Sequence, residues 1–273
     1  MPVIETPHLR MPRLGLGTWP MKGAECRAAV QSALALGYRH IDTAEMYGNE
    51  DAVGAGIAAS GLPRADIFLT TKIWNDKPNG AAIRTAFDAS LQRLATPYVD
   101  LLLIHWPSPG LDLPDALAGL AAIRAAGRAR AIGVSNFPPK LLQRAIAEGV
   151  GLAALQVECH ALLDQTTLLG ICRANGMAMT AYSPLAKGAA SSDPVLQGIG
   201  RKHGATAAQV ALAWLLAQPG VAMVPKAASR ARQAENLAAL TLTLDAADLA
   251  AIAALPKDRR FVDPAMAPDW IGG

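Results

Sequence analysis

Eight short apolar runs, each nearly uninterrupted, alternate with longer segments of helical period along almost the entire chain. The runs are Leu14–Gly17, Tyr38–Ile41, Ile67–Thr71, Val99–Ile104, Ala129–Val134, Leu152–Val157, Ala178–Ala181 and Val221–Val224. Continuous apolarity over so few residues suits strands buried on both faces, and strict alternation with helices calls for a parallel sheet. A doubly wound sheet and a closed barrel share that order. The count of eight favours the barrel, as does the lack of any composition break between residues 1 and 273. The expectation is an α/β chain forming a single (β/α)8 TIM barrel domain with a short C-terminal tail, a fold that typically takes ~250 residues.

The segments between the runs carry helix signals. Ile83, Phe87, Leu91 and Leu94 form one apolar stripe, and Leu141, Leu142, Ala145 and Ile146 another. Gly127 follows the expected Leu117–Ala126 helix where a left-handed cap is wanted, and Pro138 suits a helix start. Eight such helices are expected. The small-residue stretch Leu185–Pro194 reads as a mobile loop after the seventh run, not as a domain boundary. Gly54-x-Gly56-x-x-Ala59 matches the written form of a dinucleotide fingerprint. It falls inside an expected helix and does not follow a strand, so it reads as helix packing.

Composition removes several classes of function. Hydrophobic residues make up 52% and charged ones 17%, ample for a large core and unlike a disordered chain. The net charge of +3 is carried by scattered Lys and Arg with no basic stripe, which argues against a nucleic-acid partner. Cys26, Cys159 and Cys172 are widely spaced and odd in number, which argues against disulfides and a metal site and for a reducing compartment. No run reaches the ~18 apolar residues of a membrane span, and the first residues lack a signal-peptide pattern. A cytoplasmic location without membrane attachment is expected.

The polar residues at the C-terminal end of each run are more informative. The second run leads into Asp42, the third into Lys72, the fourth into His105 and the fifth into Ser135-Asn136. The sixth contains Gln156 and leads into Glu158, the seventh into Tyr182-Ser183, and the eighth into Pro225-Lys226. In a parallel barrel these positions gather at one mouth, where active sites are built. Tyr47, five residues after Asp42, can face the same cavity. Lys72 would lower the Tyr47 phenol toward useful acidity, and Asp42 would keep the Lys72 ammonium charged. A neutral His105 would hold a substrate carbonyl oxygen, completing a tuned general acid. Each residue alone has a structural reading: an ion pair for Asp42 and Lys72, core hydrogen bonding for His105, packing for Tyr47. Together at neighbouring strand ends they favour chemistry.

Asp42-x-x-x-x-Tyr47 with Lys72 and His105 resembles the catalytic tetrad of the aldo-keto reductases. Segments 15–19, 37–50, 70–74, 99–107, 132–137, 155–160, 181–188 and 224–236 resemble that family's signatures in order. Length and the APDW tail at 267–270 are most similar to the bacterial 2,5-diketo-D-gluconate reductases of the B type. The resemblance implies NADPH as hydride donor, with NADH possible but weaker. It implies that Ser135, Asn136 and Gln156 bond the nicotinamide carboxamide and that Tyr182 stacks on its ring. Ser183, Leu185 and Lys187 would cover the pyrophosphate, Lys226 and Arg232 the 2′-phosphate, and Glu235 and Asn236 the adenine. Ala227 stands where many members carry serine, which weakens the preference for NADPH. A monomer acting on small carbonyl compounds is implied, methylglyoxal and keto-sugar acids among them.

Trp19, Trp74 and Trp106 each follow a run closely, so with Tyr47 and His105 they are expected to line an aromatic substrate pocket. Met266 and Trp270 would close one side. Two other functions stay open at this level. Lys72 could serve as a Schiff-base nucleophile in an aldolase or isomerase, though Asp42 beside it would keep the amine protonated. A regulatory protein that binds the cofactor without turnover is the other.

Overall fold

The computed structural model describes residues 1–270. A feature the apolar runs did not announce comes first, an antiparallel hairpin of β1 (Val3–Thr6) and β2 (Leu9–Pro12). The eight expected strands come next: β3 (Leu16–Gly17), β4 (His40–Asp42), β5 (Phe68–Ile73), β6 (Val99–Ile104), β7 (Ala129–Ser135), β8 (Ala154–Glu158), β9 (Ala178–Tyr182) and β10 (Val221–Met223). They pair in parallel in chain order. Parallel bridges from Leu14 to Met223 and from Gly17 to Lys226 join the first of them to the last and close the barrel. Among the described residues, no single helix is long and apolar enough to cross a membrane.

The outer ring starts with α1 (Gly23–Ala35), α2 (Glu50–Ala59), α3 (Gly80–Leu94), α4 (Leu113–Ala125), α5 (Pro139–Ala147) and α6 (Thr166–Ala174). Three helices instead of one separate β9 from β10: α7 (Ala189–Ser192), α8 (Pro194–His203) and α9 (Ala207–Leu216). The chain ends on α10 (Arg230–Ala238), α11 (Ala246–Ala253) and the tail. The described residues thus form eleven α-helices, not eight. The expected loop 185–194 is one source of the surplus, because local capping folds it into a 3-10 turn at Ala186–Gly188 and α7. Asp193 then accepts hydrogen bonds from the Val195 and Leu196 amides, and Pro194 opens α8.

Local signals explain other boundaries. Asn79 caps α3 by accepting from the Ala82 amide, and the Ile83, Phe87, Leu91 and Leu94 stripe is buried. Gly127 adopts a φ of 72° just beyond α4, as its position suggested. Gly54 and Gly56 lie within α2. A methyl at Gly54 would meet the Leu94 carbonyl at 2.4 Å, and one at Gly56 would meet Val30 at 2.8 Å. Both glycines permit close helix packing, and neither opens a phosphate-binding turn.

Strand parity sorts the interior into two compartments. Ile41, Leu69, Leu102, Ile132, Leu155 and Met179 face outward and join one large core with the helices. Phe68, Leu101, Leu103, Ala131, Ala154, Ala178 and Ala222 form a second cluster inside the barrel. Ile4, Leu9 and Met11 belong to that cluster, so the hairpin plugs the floor. Continuing the same inward parity up each strand reaches Asp42, Lys72, His105, Gln156, Glu158 and Tyr182.

Candidate active site

The polar residues expected just beyond the strands are, for the most part, their last members. Asp42, Ser135, Glu158 and Tyr182 end β4, β7, β8 and β9, and Lys72 lies within β5. Inward-facing side chains at this level find polar partners, so the backbone ladder continues past the apolar run. Tyr47 ends a 3-10 turn at Glu45–Tyr47, and the backbone carbonyl of Tyr47 accepts a hydrogen bond from Lys22. That turn is held from just past the next strand, where the Trp74 amide donates to Glu45 at 2.9 Å.

The four expected catalytic residues converge. Lys72 Nζ donates to Asp42 Oδ1 at 2.6 Å, to the Thr43 carbonyl at 2.8 Å and to the Tyr47 hydroxyl at 3.4 Å. The Tyr47 and His105 rings meet edge to face at 5.5 Å between centroids. Lys72 is fully buried, and its three protons are all directed at oxygen. An ammonium so held has no lone pair to offer an electrophile, which argues against the Schiff-base reading.

Burial dominates the electrostatics. Desolvation pulls Lys72 below the usual lysine range, opposed by the Asp42 carboxylate. His105 is driven well below the ordinary histidine value by burial and then by the Lys72 ammonium, so its imidazole is neutral. Its Nδ1 is buried without a hydrogen-bond partner. The expectation for Tyr47 needs correcting: burial, and after it the Asp42 charge, pushes the phenol well above its ordinary value. Lys72 does not reverse this because its charge is matched by Asp42 at closer range.

A cleft of about 540 Å³ opens over these groups, lined by Gly17, Asp42, Tyr47, His105, Gln156 and Lys226 among others. Of the residues expected to hold a cofactor, Asn136, Gln156, Tyr182, Ser183, Lys187 and Lys226 line it. Gln156 donates to Asp42 Oδ2 at 2.7 Å. Asn136, in a left-handed conformation with φ of 62°, donates to the His105 carbonyl and accepts from the Tyr182 hydroxyl at 2.8 Å. Ser135 is buried behind it and accepts from Asn136. The amides expected to meet a carboxamide are thus bonded to their neighbours and to Asp42. Leu185, Arg232, Glu235 and Asn236 lie outside the cleft lining. Leu185 packs against the core, Arg232 pairs with Glu235 at 3.8 Å on α10, and Asn236 is buried. Ala227 is buried too and packs in the outer core.

The aromatic wall is present. Trp19 packs on Tyr47 at 5.2 Å and Trp74 on His105 at 5.3 Å, and Trp106 lines the same cleft. Trp270 meets Trp106 at 6.0 Å, and Met266 lines the cleft while its sulfur takes a contact from Asn75 at 2.8 Å. Sequence reasoning missed Met46 and the tail segment Phe261, Val262, Asp263 and Pro264, all in the lining. It also missed Thr18, whose hydroxyl donates to the Asp42 carbonyl at 3.0 Å. Thr18 directly follows a strand run and was legible by that rule; the tail segment 261–264, with neither period nor motif, was not.

Comparison with known proteins agrees with this geometry. The chain is 41% identical over 268 residues to methylglyoxal reductase DkgB of Escherichia coli O157:H7, covering 96% of this chain and all of that one. A crystal structure of a proposed 2,5-diketo-D-gluconic acid reductase B superposes with a TM-score of 0.92 at 44% identity, covering 95% of this chain and 93% of that one. The Bombyx mori aldo-keto reductase solved in complex with NADP superposes with a TM-score of 0.90 at 32% identity, covering 96% and 95%. The model of the Aldo/keto reductase family matches residues 13–257. A closed parallel barrel, four converging side chains at its mouth and a match over most of its length make this chain an oxidoreductase that belongs to the aldo/keto reductase family.

Proposed function

We propose that the protein reduces aldehydes and ketones with NADPH, and that Tyr47 supplies the proton. The observation that carries this reading is the convergence of Asp42, Lys72, Tyr47 and His105 beneath a cleft that also holds cationic side chains. The cleft fits a nicotinamide dinucleotide: Tyr182 offers an aromatic face, and Lys187 and Lys226 offer charge for phosphates. Lys226 and Arg232 support a preference for NADPH over NADH. When bound, the reduced cofactor supplies the hydride to the carbonyl carbon. Two of the relatives support the substrate class by their names, small dicarbonyls such as methylglyoxal and keto-sugar acids such as 2,5-diketo-D-gluconate.

The chain's own part is to hold and move one proton. With its pKa raised, the Tyr47 hydroxyl is fully protonated at neutral pH, the state a general acid requires. An alkoxide forming on the substrate is a far stronger base than phenolate, so transfer from the Tyr47 oxygen is downhill once the carbonyl carbon has been reduced. The phenolate left behind faces the Lys72 ammonium, 3.4 Å away in the present geometry. Asp42 and the Thr43 carbonyl fix that ammonium, while a neutral His105 donates a hydrogen bond that orients the carbonyl oxygen. Trp19, Trp74 and Trp106 exclude water and hold apolar substrate surface.

Three free, buried cysteines support action in a reducing, cytoplasmic compartment, and a monomer is part of the same proposal. Mixing the purified protein with methylglyoxal or a keto-sugar acid is expected to deplete reduced-nicotinamide absorbance, faster with NADPH than with NADH. Tight NADPH binding with no turnover across a broad carbonyl panel would instead identify a regulatory protein.

A further inference from the structure

Glu158 is a fully buried carboxylate at the end of β8 with no part in the chemistry above. His160 Nε2 lies 3.0 Å from its Oε1. The other ring nitrogen, Nδ1, accepts from the Leu162 amide at 3.3 Å, which leaves Nε2 to donate to Glu158. The remaining donors come from a distant part of the chain. The Phe261 amide donates to Oε1 at 2.8 Å and the Val262 amide to Oε2 at 2.9 Å. Arg260 Nη1, itself buried without a hydrogen bond, lies 3.9 Å from Oε2.

Those amides belong to the segment that forms one wall of the cleft, Phe261 to Pro264 with Met266. Just before it the tail is fastened along residues 161–164, through a Leu163–Asp258 bridge and a hydrogen bond from the Arg259 amide to the Leu162 carbonyl at 3.0 Å. On its other side the Phe261 carbonyl accepts from Lys187 at 2.7 Å. One carboxylate therefore grips both amides at the point where the tail turns from the barrel flank into the cleft. A buried anion taking two backbone N–H groups and an imidazole is a stiff, geometrically specific fastener.

We infer that Glu158 is a positioning residue that clamps residues 261–262 and so sets the tail wall of the carbonyl pocket. The proposal rests on the carbonyl-reductase reading for what the pocket holds, but not for the clamp itself. Releasing the clamp should loosen the wall without touching Tyr47, Lys72 or His105. Carbonyl KM then rises while kcat holds.

Trypsin and steady-state kinetics test this together. No Lys or Arg follows Arg260, so cleavage there frees the segment 261–273, which mass spectrometry detects. The wild type should resist. Glu158→Gln, near-isosteric but with an amide N–H₂ in place of one accepting oxygen, should be nicked at least about tenfold faster, with carbonyl KM up about tenfold and kcat within about twofold. Val262→Pro removes one clamped amide from the opposite side and should behave alike, whereas Val262→Ala keeps the N–H and should stay resistant. If Glu158→Gln does not fold, the Val262 pair decides by the same readouts. Unchanged proteolysis in Val262→Pro or in a folded Glu158→Gln overturns the clamp, as does a fall in kcat at constant KM. A wild type without carbonyl turnover would sink the functional reading, while the proteolysis result would still judge the clamp.

Discussion

The floor and the mouth of the barrel are made by the same strands, two to four residues apart, yet they answer to different demands. On β5, Phe68 packs in the floor and Lys72 stands in the mouth; Leu101 of β6 packs below His105, which directly follows that strand; on β8, Ala154 lies below Gln156 and Glu158. The floor is apolar and sealed by the hairpin residues Ile4, Leu9 and Met11. His40, whose ring packs edge to face on Phe68, is pulled below the usual histidine value by burial and so brings no charge there. The mouth buries two carboxylates, an ammonium and two imidazoles, each requiring a partner. Burial of apolar surface stabilises, whereas burial of charge is expensive unless matched. Inside the barrel the costly groups thus stand at one end, held by strands that the other end stabilises, while Glu50 and Asp100 are buried outside it against Arg93 and Arg64.

That division can be broken by substitutions chosen from each end. The largest effect is expected at Tyr47→Phe, which should lower kcat by about 10³-fold with little change in melting temperature or NADPH binding. Stopped-flow and fluorescence titration measure the two sides, and near-normal turnover would remove Tyr47 from the mechanism. Leu101→Ala should do the reverse. Hollowing the floor should lower stability by about 2–5 kcal/mol in urea unfolding while folded enzyme keeps kcat within about twofold. A strong loss of turnover there would mean that the two ends are mechanically coupled.

The smallest effect concerns acid. Burial alone would raise the Glu158 carboxyl, but its hydrogen-bond partners outweigh burial and hold it below its ordinary value near 4.5. A carboxylate lowered on folding contributes stability above its unfolded pKa, and that contribution disappears as pH falls through the folded value. The melting-temperature advantage of wild type over Glu158→Gln should therefore be full at neutral pH and shrink as pH drops below about 4. An advantage independent of pH would show that the carboxylate's charge is irrelevant to holding the tail.

Much of this arrangement is legible in the sequence because barrel strands advertise themselves by continuous apolarity. All eight runs are strands, and Val99–Ile104 has the expected ends. The tetrad is legible because position after a run fixes which end of the barrel a residue occupies. The rest is hidden for physical reasons. The β1–β2 hairpin has only four residues a strand, and only β2 alternates polar and apolar residues, too weak a signal to register. Hydrogen bonding among Asn136, Gln156 and Asp42 depends on strand register, which a single sequence does not reveal. The raised Tyr47 pKa defies an estimate from charge proximity alone, because desolvation of the phenol at the base of the cleft is the larger effect. Glu158 stands out at a strand end, but its task is invisible there, since the tail amides it holds lie about a hundred residues downstream.

The bridge between Gly17 and Lys226 has a further consequence. Lys226 sits on the seam where the ring is zipped shut, and it also faces the cleft. A chain whose last strand has not yet docked would lack this cation beside Gly17 and could not present the full set of groups for a nucleotide phosphate. On the proposed reading of Lys226 as a phosphate contact, nucleotide would favour the sealed ring and draw the population toward it by mass action, making it a folding ligand as well as a reagent.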